Sequence, residues 1–460
     1  MFNLLSRYIR DLGYSEKRSI QDNVIAFLKD FTGKVRGSIN DLSSRFLSIE
    51  GFRGSLNDSF RSWLISKGLA GKAINDLANE LEVVFPSDNL LLNMPLRSNV
   101  DIVKGSGSST FNRPSSVATY IDSVSGFVTP SAINEPRFES NGLLMEVGST
   151  NLVLQSEDMS TADWAIVGTL TKTPVSAIPT PDGLTGATTE IEFPDAFASL
   201  RQTFAGTNGA NKTFSLWVYV EDLGSGGTTL KCQYAAGLGG NVFLDTLPLK
   251  TFVRVSFPSL PKGGGSDHIN LAVGFPNDLK LRIWGAQFEE LGVASSYIPT
   301  TTTQVSRDSD SLAISPSGNI PSPSADYSIS ATYDILGDML AGDQYLYSIE
   351  VIGDPMGTMR DFTAVTTDTK PRVQHADLIT SPNLLADNTP LSVAVTREGG
   401  TLKLYEDGVN VVTGTADTVF GTTLNIRIGS ETSNANTLNG HIKDFRIYDK
   451  ALTLDEVKSL

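Results

Sequence analysis

A single cysteine, Cys232, in 460 residues is the sparsest feature of this chain. It excludes a disulfide within the chain and any zinc site built on paired thiolates. Histidine is nearly as scarce: His268, His375 and His441 stand far apart, and none has metal-ligand spacing. No run approaches the roughly 18 apolar residues of a membrane-spanning helix. The opening residues, MFNLLSRYIRDL, mix charge among apolar side chains, so no export signal and no membrane insertion are expected. Positive charge is also short, with 36 Lys+Arg against 51 Asp+Glu. The deficit is uneven: 12 basic and 10 acidic residues lie up to Phe85, a balance of +2, leaving 24 against 41, or −17, for the remainder. Surfaces this acidic do not neutralise phosphate backbones, which excludes nucleic acid as a partner.

Catalytic signatures are equally thin. There is no Gly-x-Ser-x-Gly elbow, and no glutamate is followed two positions later by aspartate, the arrangement that sets two carboxylates on one face of a glucanase strand. Glu289 and Glu290 are adjacent, so on a strand they point to opposite faces. The glycines at 237–240 and 263–265 precede neither a helical pattern nor a Lys-Ser/Thr pair, and read as hairpin turns rather than phosphate loops. Asp308 and Asp310 lack the later glycine and glutamate of a calcium loop, which leaves calcium a cofactor without assigned ligands. No catalytic or metal site is therefore assigned, and a non-enzyme is expected.

What is present divides the chain in two textures. Residues 1–86 read as helical, with apolar side chains such as Ile20, Val24, Phe27, Phe31 and Val35 recurring at spacings of three and four. Arg36-Gly37-Ser38-Ile39-Asn40-Asp41 repeats as Arg53-Gly54-Ser55-Leu56-Asn57-Asp58. Either long helices of several chains share this seam, or the Gly-Ser units divide it into short capped helices that pack on each other. The expectation is an attachment and oligomerisation segment, because so continuous a stripe needs a partner.

From about Leu90 the pattern turns to short alternating runs bounded by Gly, Pro, Asn and Asp, the signature of strands. Val218 and Val220 alternate with Trp217 and Tyr219, and Leu281 and Ile283 with Arg282 and Trp284. Near the C-terminus, Asp407-Gly408 marks a tight hairpin. Thr453 with Glu456 forms a capping box for a short last helix. The reading is mainly β: an extended connector over 87–150, a jelly-roll over 151–305, a solvated linker over 306–325 and a second sandwich over 326–460. Trp217, Tyr219 and Trp284 fall opposite core-like neighbours in the alternation. They are candidates for an exposed sugar-stacking face.

Two stretches carry resemblances. Asn134-Glu135-Pro136-Arg137-Phe138, then Asn141-Gly142-Leu143-Leu144-Met145-Glu146 and Thr150-Asn151-Leu152, resemble in their order the thread of bacteriophage tail fibres and related virion surface proteins. The chain departs from that pattern at Gly148-Ser149, where an arginine is usual. Gly440-His441-Ile442-Lys443-Asp444-Phe445-Arg446-Ile447-Tyr448 and the final helix are similar to the end of concanavalin A-like, laminin-G-like jelly-rolls. The resemblance implies a virion fibre protein made in the host cytoplasm and held to other virion proteins by its N-terminus. It implies a homotrimer that binds host surface polysaccharide. A virion-bound depolymerase and a purely structural decoration protein are the alternatives.

Overall fold

The computed structural model describes residues 89–460 except 177, 187, 195–197, 205–211, 225–228, 236, 238, 264–265, 274–277, 322–324, 338–342, 352–360, 366–368, 375–377, 416–422 and 432–435. The segment expected to be helical, with its seam and repeat, and His375 lie outside the described residues. Among those described the chain is mainly β, and helix is confined to Leu454–Val457 and a 3-10 turn at Leu244–Thr246.

One sandwich spans the middle of the chain. Its first sheet runs in the order Phe252–Leu260, Lys212–Asp222, Leu279–Glu289, Thr188–Phe193, Thr171–Val175. The second runs Gly240–Phe243, Thr229–Tyr234, His268–Val273, Ser199–Thr203, Ala165–Val167. Between them pack the inward members of each alternation, Phe214, Leu216, Val218, Leu281, Ile283 and Leu271 among them. Cys232 lies in this core, where burial pushes its thiol well above the ordinary value and leaves it unreactive.

The other sandwich is where structure and sequence reading part. Its larger sheet has the order Val409–Thr415, Thr401–Glu406, Leu391–Glu398, Tyr327–Tyr333, Gly440–Tyr448, Gly142–Met145, Arg137–Glu139, and Leu90–Met94 also pairs with Gly440–Tyr448. The facing sheet begins with Ser109–Asn112 against Ser311–Ile314. Segments 87–150 and 306–325, read as connector and linker, thus supply strands and core: Leu92, Met94, Phe111, Leu143, Met145, Leu312 and Ile314 join one apolar cluster with Tyr327, Phe445 and Ile447. The middle sandwich is an insertion into this second one. The misreading has a physical cause, since three- to five-residue strands show too few alternations to register as a period.

The chain passes between the sandwiches twice, and the passes pair: Ser149–Asn151 lies antiparallel to Val305–Arg307. Asn151 stitches this neck to the middle sandwich, its Nδ2 donating to the Ala286 and Ile298 carbonyls at 3.0 and 2.8 Å, while its Oδ1 accepts from the Phe288 amide. The final helix caps the outer face of the larger sheet, where Leu452 and Val457 pack with Leu90, Tyr405 and Tyr448. It opens with the capping box anticipated at Thr453 and Glu456.

Candidate functional site

At the neck Arg113, Arg137, Glu146, Arg307 and Asp310 form a fully buried charge network. Glu146 accepts from Arg137 Nη1 at 2.6 Å, Arg307 Nη1 at 2.8 Å and the Ser296 amide at 2.6 Å. Asp310 accepts from Arg113, Arg137 and the Glu146 amide. The terminal guanidinium nitrogens also reach carbonyls: Arg113 those of Ala132 and Glu135, Arg137 that of Thr119, Arg307 that of Val147, while the Nε of each is buried without a partner. Burial alone would raise the Glu146 carboxyl, but Arg307 and Arg137 override it and hold it at about 2. Asp310 is therefore an ion-pair partner rather than part of a solvated linker, and its oxygens are turned to arginines and the Glu146 amide, not arranged for a metal ion. Among the described residues no group of three or more His, Cys, Asp or Glu side chains could hold a metal ion.

A second clamp lies beside the first. His441 bridges Asp334 through Nδ1 at 2.8 Å and Glu139 through Nε2 at 3.1 Å. Burial would lower the imidazole, yet its bonds to Asp334 and Glu139 outweigh that and raise it to about 9. Because this folded value exceeds the ordinary 6.5, the stabilisation is complete below about 6.5 and is lost as pH rises through about 9. The span of the shift corresponds to about 3 kcal/mol. Unfolding free energy measured from pH 6 to 10 is expected to fall by roughly this amount, and His441→Gln to remove that fall. A wild-type profile flat across the window would refute the clamp.

The outer face of the first sheet of the middle sandwich turns toward this neck. On Leu279–Glu289 a bulge at Gly285, in left-handed conformation with φ +66°, shifts the register against Lys212–Asp222. The shift changes side-chain parity, so Trp284 faces outward while Ala286 and Phe288 return to the core. A Cβ at 285 would stand 2.7 Å from the Trp217 ring, which only glycine avoids. Trp217, Trp284 and Tyr297 then form one aromatic cluster, with ring centroids 5.0 to 5.5 Å apart, covered by Val128 of the hairpin that joins Thr119–Ile121 to Val128–Pro130.

This packing corrects the exposed sugar-stacking face expected of three aromatics. Trp284 is 2% exposed and Trp217 6%, because residues 295–298 and the 119–130 hairpin cover them. Tyr219 is half-buried farther along the sheet, under the Arg282 guanidinium and beside Phe252. Only Trp217 reaches the wall of a cleft.

That cleft, of about 440 Å³, opens between the middle sandwich, the 119–130 hairpin and the Leu336 and Asp387–Asn388 loops of the second sandwich. Its apolar wall includes Trp217, Val128 and Tyr297, and its polar wall Tyr120, Glu139, Arg254, Ser256 and Ser296. Arg254 lies over the Trp217 ring at 4.8 Å and donates from Nη2 to Ser215 Oγ at 3.0 Å. In the sequence Arg254 and Ser256 showed only an outward parity against Val253 and Val255. Nothing local signalled that a hairpin from more than a hundred residues away roofs them. Glu289 lies beneath the neck, held by Ser149 and Ser295, while neighbouring Glu290 is exposed and pairs with Lys212, the opposite-face placement their adjacency required.

Residues 310–458 match a laminin-G-like family model described as the concanavalin A-like lectin/glucanases superfamily. The C-terminal sandwich is thus a concanavalin A-like domain, completed by strands from 90–145 that lie outside the match. No curated protein matches the chain. Solved structures it is similar to include a Trypanosoma rangeli sialidase in complex with 2,3-difluorosialic acid, at 18% identity over 30% of this chain and 22% of that one, TM-score 0.26. Another is the CBM40 of Ruminococcus gnavus IT-sialidase bound to alpha2,3 sialyllactose, at 16% identity over 29% and 81%, TM-score 0.26. A third is Domain 4 of AbnA, a GH43 extracellular arabinanase from Geobacillus stearothermophilus, in complex with arabinotriose, at 16% identity over 36% and 81%, TM-score 0.26. This chain spans 22 to 30% of the length of the first three structures, all Trypanosoma rangeli sialidases. Likenesses at this level carry nothing about a site.

Proposed function

We propose that the protein is a non-catalytic glycan-binding protein whose site is the cleft between its two sandwiches. The observation that carries this is the composition of the cleft wall: the apolar edges of Val128, Trp217 and Tyr297 beside hydroxyl, carboxylate and guanidinium groups. That pairing offers an apolar sugar face and its hydroxyls separate partners. The concanavalin A-like description of the C-terminal domain agrees with it. Ser256 is exposed on the cleft wall, so Ser256→Trp fills the space without disturbing the core. On a glycan array, wild-type protein is expected to retain a set of glycans and Ser256→Trp to lose it by tenfold or more. Equal retention by both proteins would place binding elsewhere, and release of reducing ends from a retained glycan would make the protein a depolymerase.

The thread resemblance supplies the setting: a fibre on a phage particle, attached through residues 1–86, homotrimeric, presenting the sandwiches to a host surface polysaccharide. In such an assembly several weak clefts act together at high effective concentration. Cryo-electron microscopy of purified particles tests this through copy number and attachment point. Absence of the protein from every particle preparation would remove the virion setting while leaving the glycan reading standing.

A further inference from the structure

Four charged side chains line the cleft: Glu139, Glu146, Arg254 and Asp387. Two are neutralised where they stand, Glu146 by Arg137 and Arg307, and Glu139 by His441. Asp387 is exposed at the rim. Arg254 differs from all of these. No carboxylate lies within ion-pairing distance of it among the described residues, whereas the neighbouring Arg113, Arg137 and Arg307 are each paired. Its Nε is buried without a hydrogen-bond partner, as are those of Arg113, Arg137 and Arg307, but among the described residues its one side-chain hydrogen bond is from Nη2 to the neutral Ser215 hydroxyl.

A guanidinium partly withdrawn from water with no carboxylate in contact is unfavourable in the empty protein. It is also pre-positioned, since the Trp217 ring fixes its plane from one side and Ser215 fixes one nitrogen. A ligand carboxylate entering the cleft would form a charge-assisted pair with it that no neutral hydroxyl can match. Side chains of the chain itself do not occupy that position: Glu146 and Glu139 are held by other cations, and Glu289 is turned to Ser149, Gln287 and Ser295.

We propose that Arg254 makes the cleft selective for sugars bearing a carboxylate, of the uronic or sialic acid type, through an ion pair with that group. This rests on the glycan-binding reading above. Arg254 is here a specificity-determining residue, and Trp217 its support.

The test is a glycan array carrying neutral glycans, carboxylated glycans and the methyl esters of the carboxylated ones, read with full-length wild-type, Arg254→Lys and Arg254→Gln proteins. Wild type is expected to retain carboxylated glycans at least tenfold more strongly than their methyl esters. Arg254→Gln is expected to abolish that difference, and Arg254→Lys, which keeps charge but not the planar fork, to keep part of it. The ester comparison uses unmodified protein, so the inference stays testable should either variant fold poorly. Retention of neutral glycans or esters equal to that of the acids would overturn the selectivity and leave the glycan reading intact. Failure to retain any glycan would overturn both.

Discussion

Arg137→Ala is expected to lower the unfolding free energy by about 3–5 kcal/mol, the range for removing one partner of a buried ion pair. The guanidinium is wholly buried and touches both passes of the chain through the neck: Glu146 and the Thr119 carbonyl before the inserted sandwich, Ser296 and Asp310 after it. Its removal leaves two buried carboxylates short of a donor each. Arg137→Lys should recover little, because one ammonium cannot span the positions that the planar fork meets at once. Urea unfolding followed by tryptophan fluorescence reads the effect, since Trp217 and Trp284 lie beside the neck. A midpoint unchanged from wild type would show that solvent replaces the network, and that the sandwiches do not depend on it for their joint stability. Acid acts in the same sense. Glu146 contributes above its ordinary 4.5, and that contribution disappears as pH falls through about 2.

Trp284→Ala is the second large loss, about 3–5 kcal/mol for truncating a buried tryptophan. The indole is packed by Trp217 and Tyr297 and cannot be replaced by a shift of the strand, because the Gly285 bulge beside it is pinned by Asn151 through the Ala286 carbonyl. Thermal unfolding should show a correspondingly lower midpoint, with Trp284→Phe losing less. If alanine and phenylalanine proved equal to wild type, the cluster would be a loose cover rather than part of the core. Tyr219→Ala is a contrast within the same sheet, since its ring is only half-buried.

Why the site escaped a reading along the chain can be seen at individual residues. Alternation placed Trp217, Trp284 and Arg254 on the outer side of a strand, and that parity holds in the structure. It could not tell whether the outer side meets water, because the cover comes from Val128 and Tyr297, which belong to segments with no period of their own. Arg137, Glu146 and Asp310 were visible as residues, the first two within an ordered motif and the last in a stretch resembling a linker. Their convergence depends on pairing Ser149–Asn151 with Val305–Arg307 across the whole inserted sandwich. Ordinary local signals fared better. The Asp407-Gly408 turn joins Thr401–Glu406 to Val409–Thr415, and the capping box opens the last helix.

By itself the order of residues determined the β character, the long strands of both sandwiches, the turns and the helix cap, because each follows from side-chain periodicity or from backbone preferences of neighbours within a few positions. Tertiary structure alone decided that residues 90–145 belong to the C-terminal sandwich, that the aromatic face is covered, and that Arg254 remains unpaired in a cleft. Burial and ion pairing are properties of residues brought together from distant places, and neither a period nor a motif records which distant segment arrives.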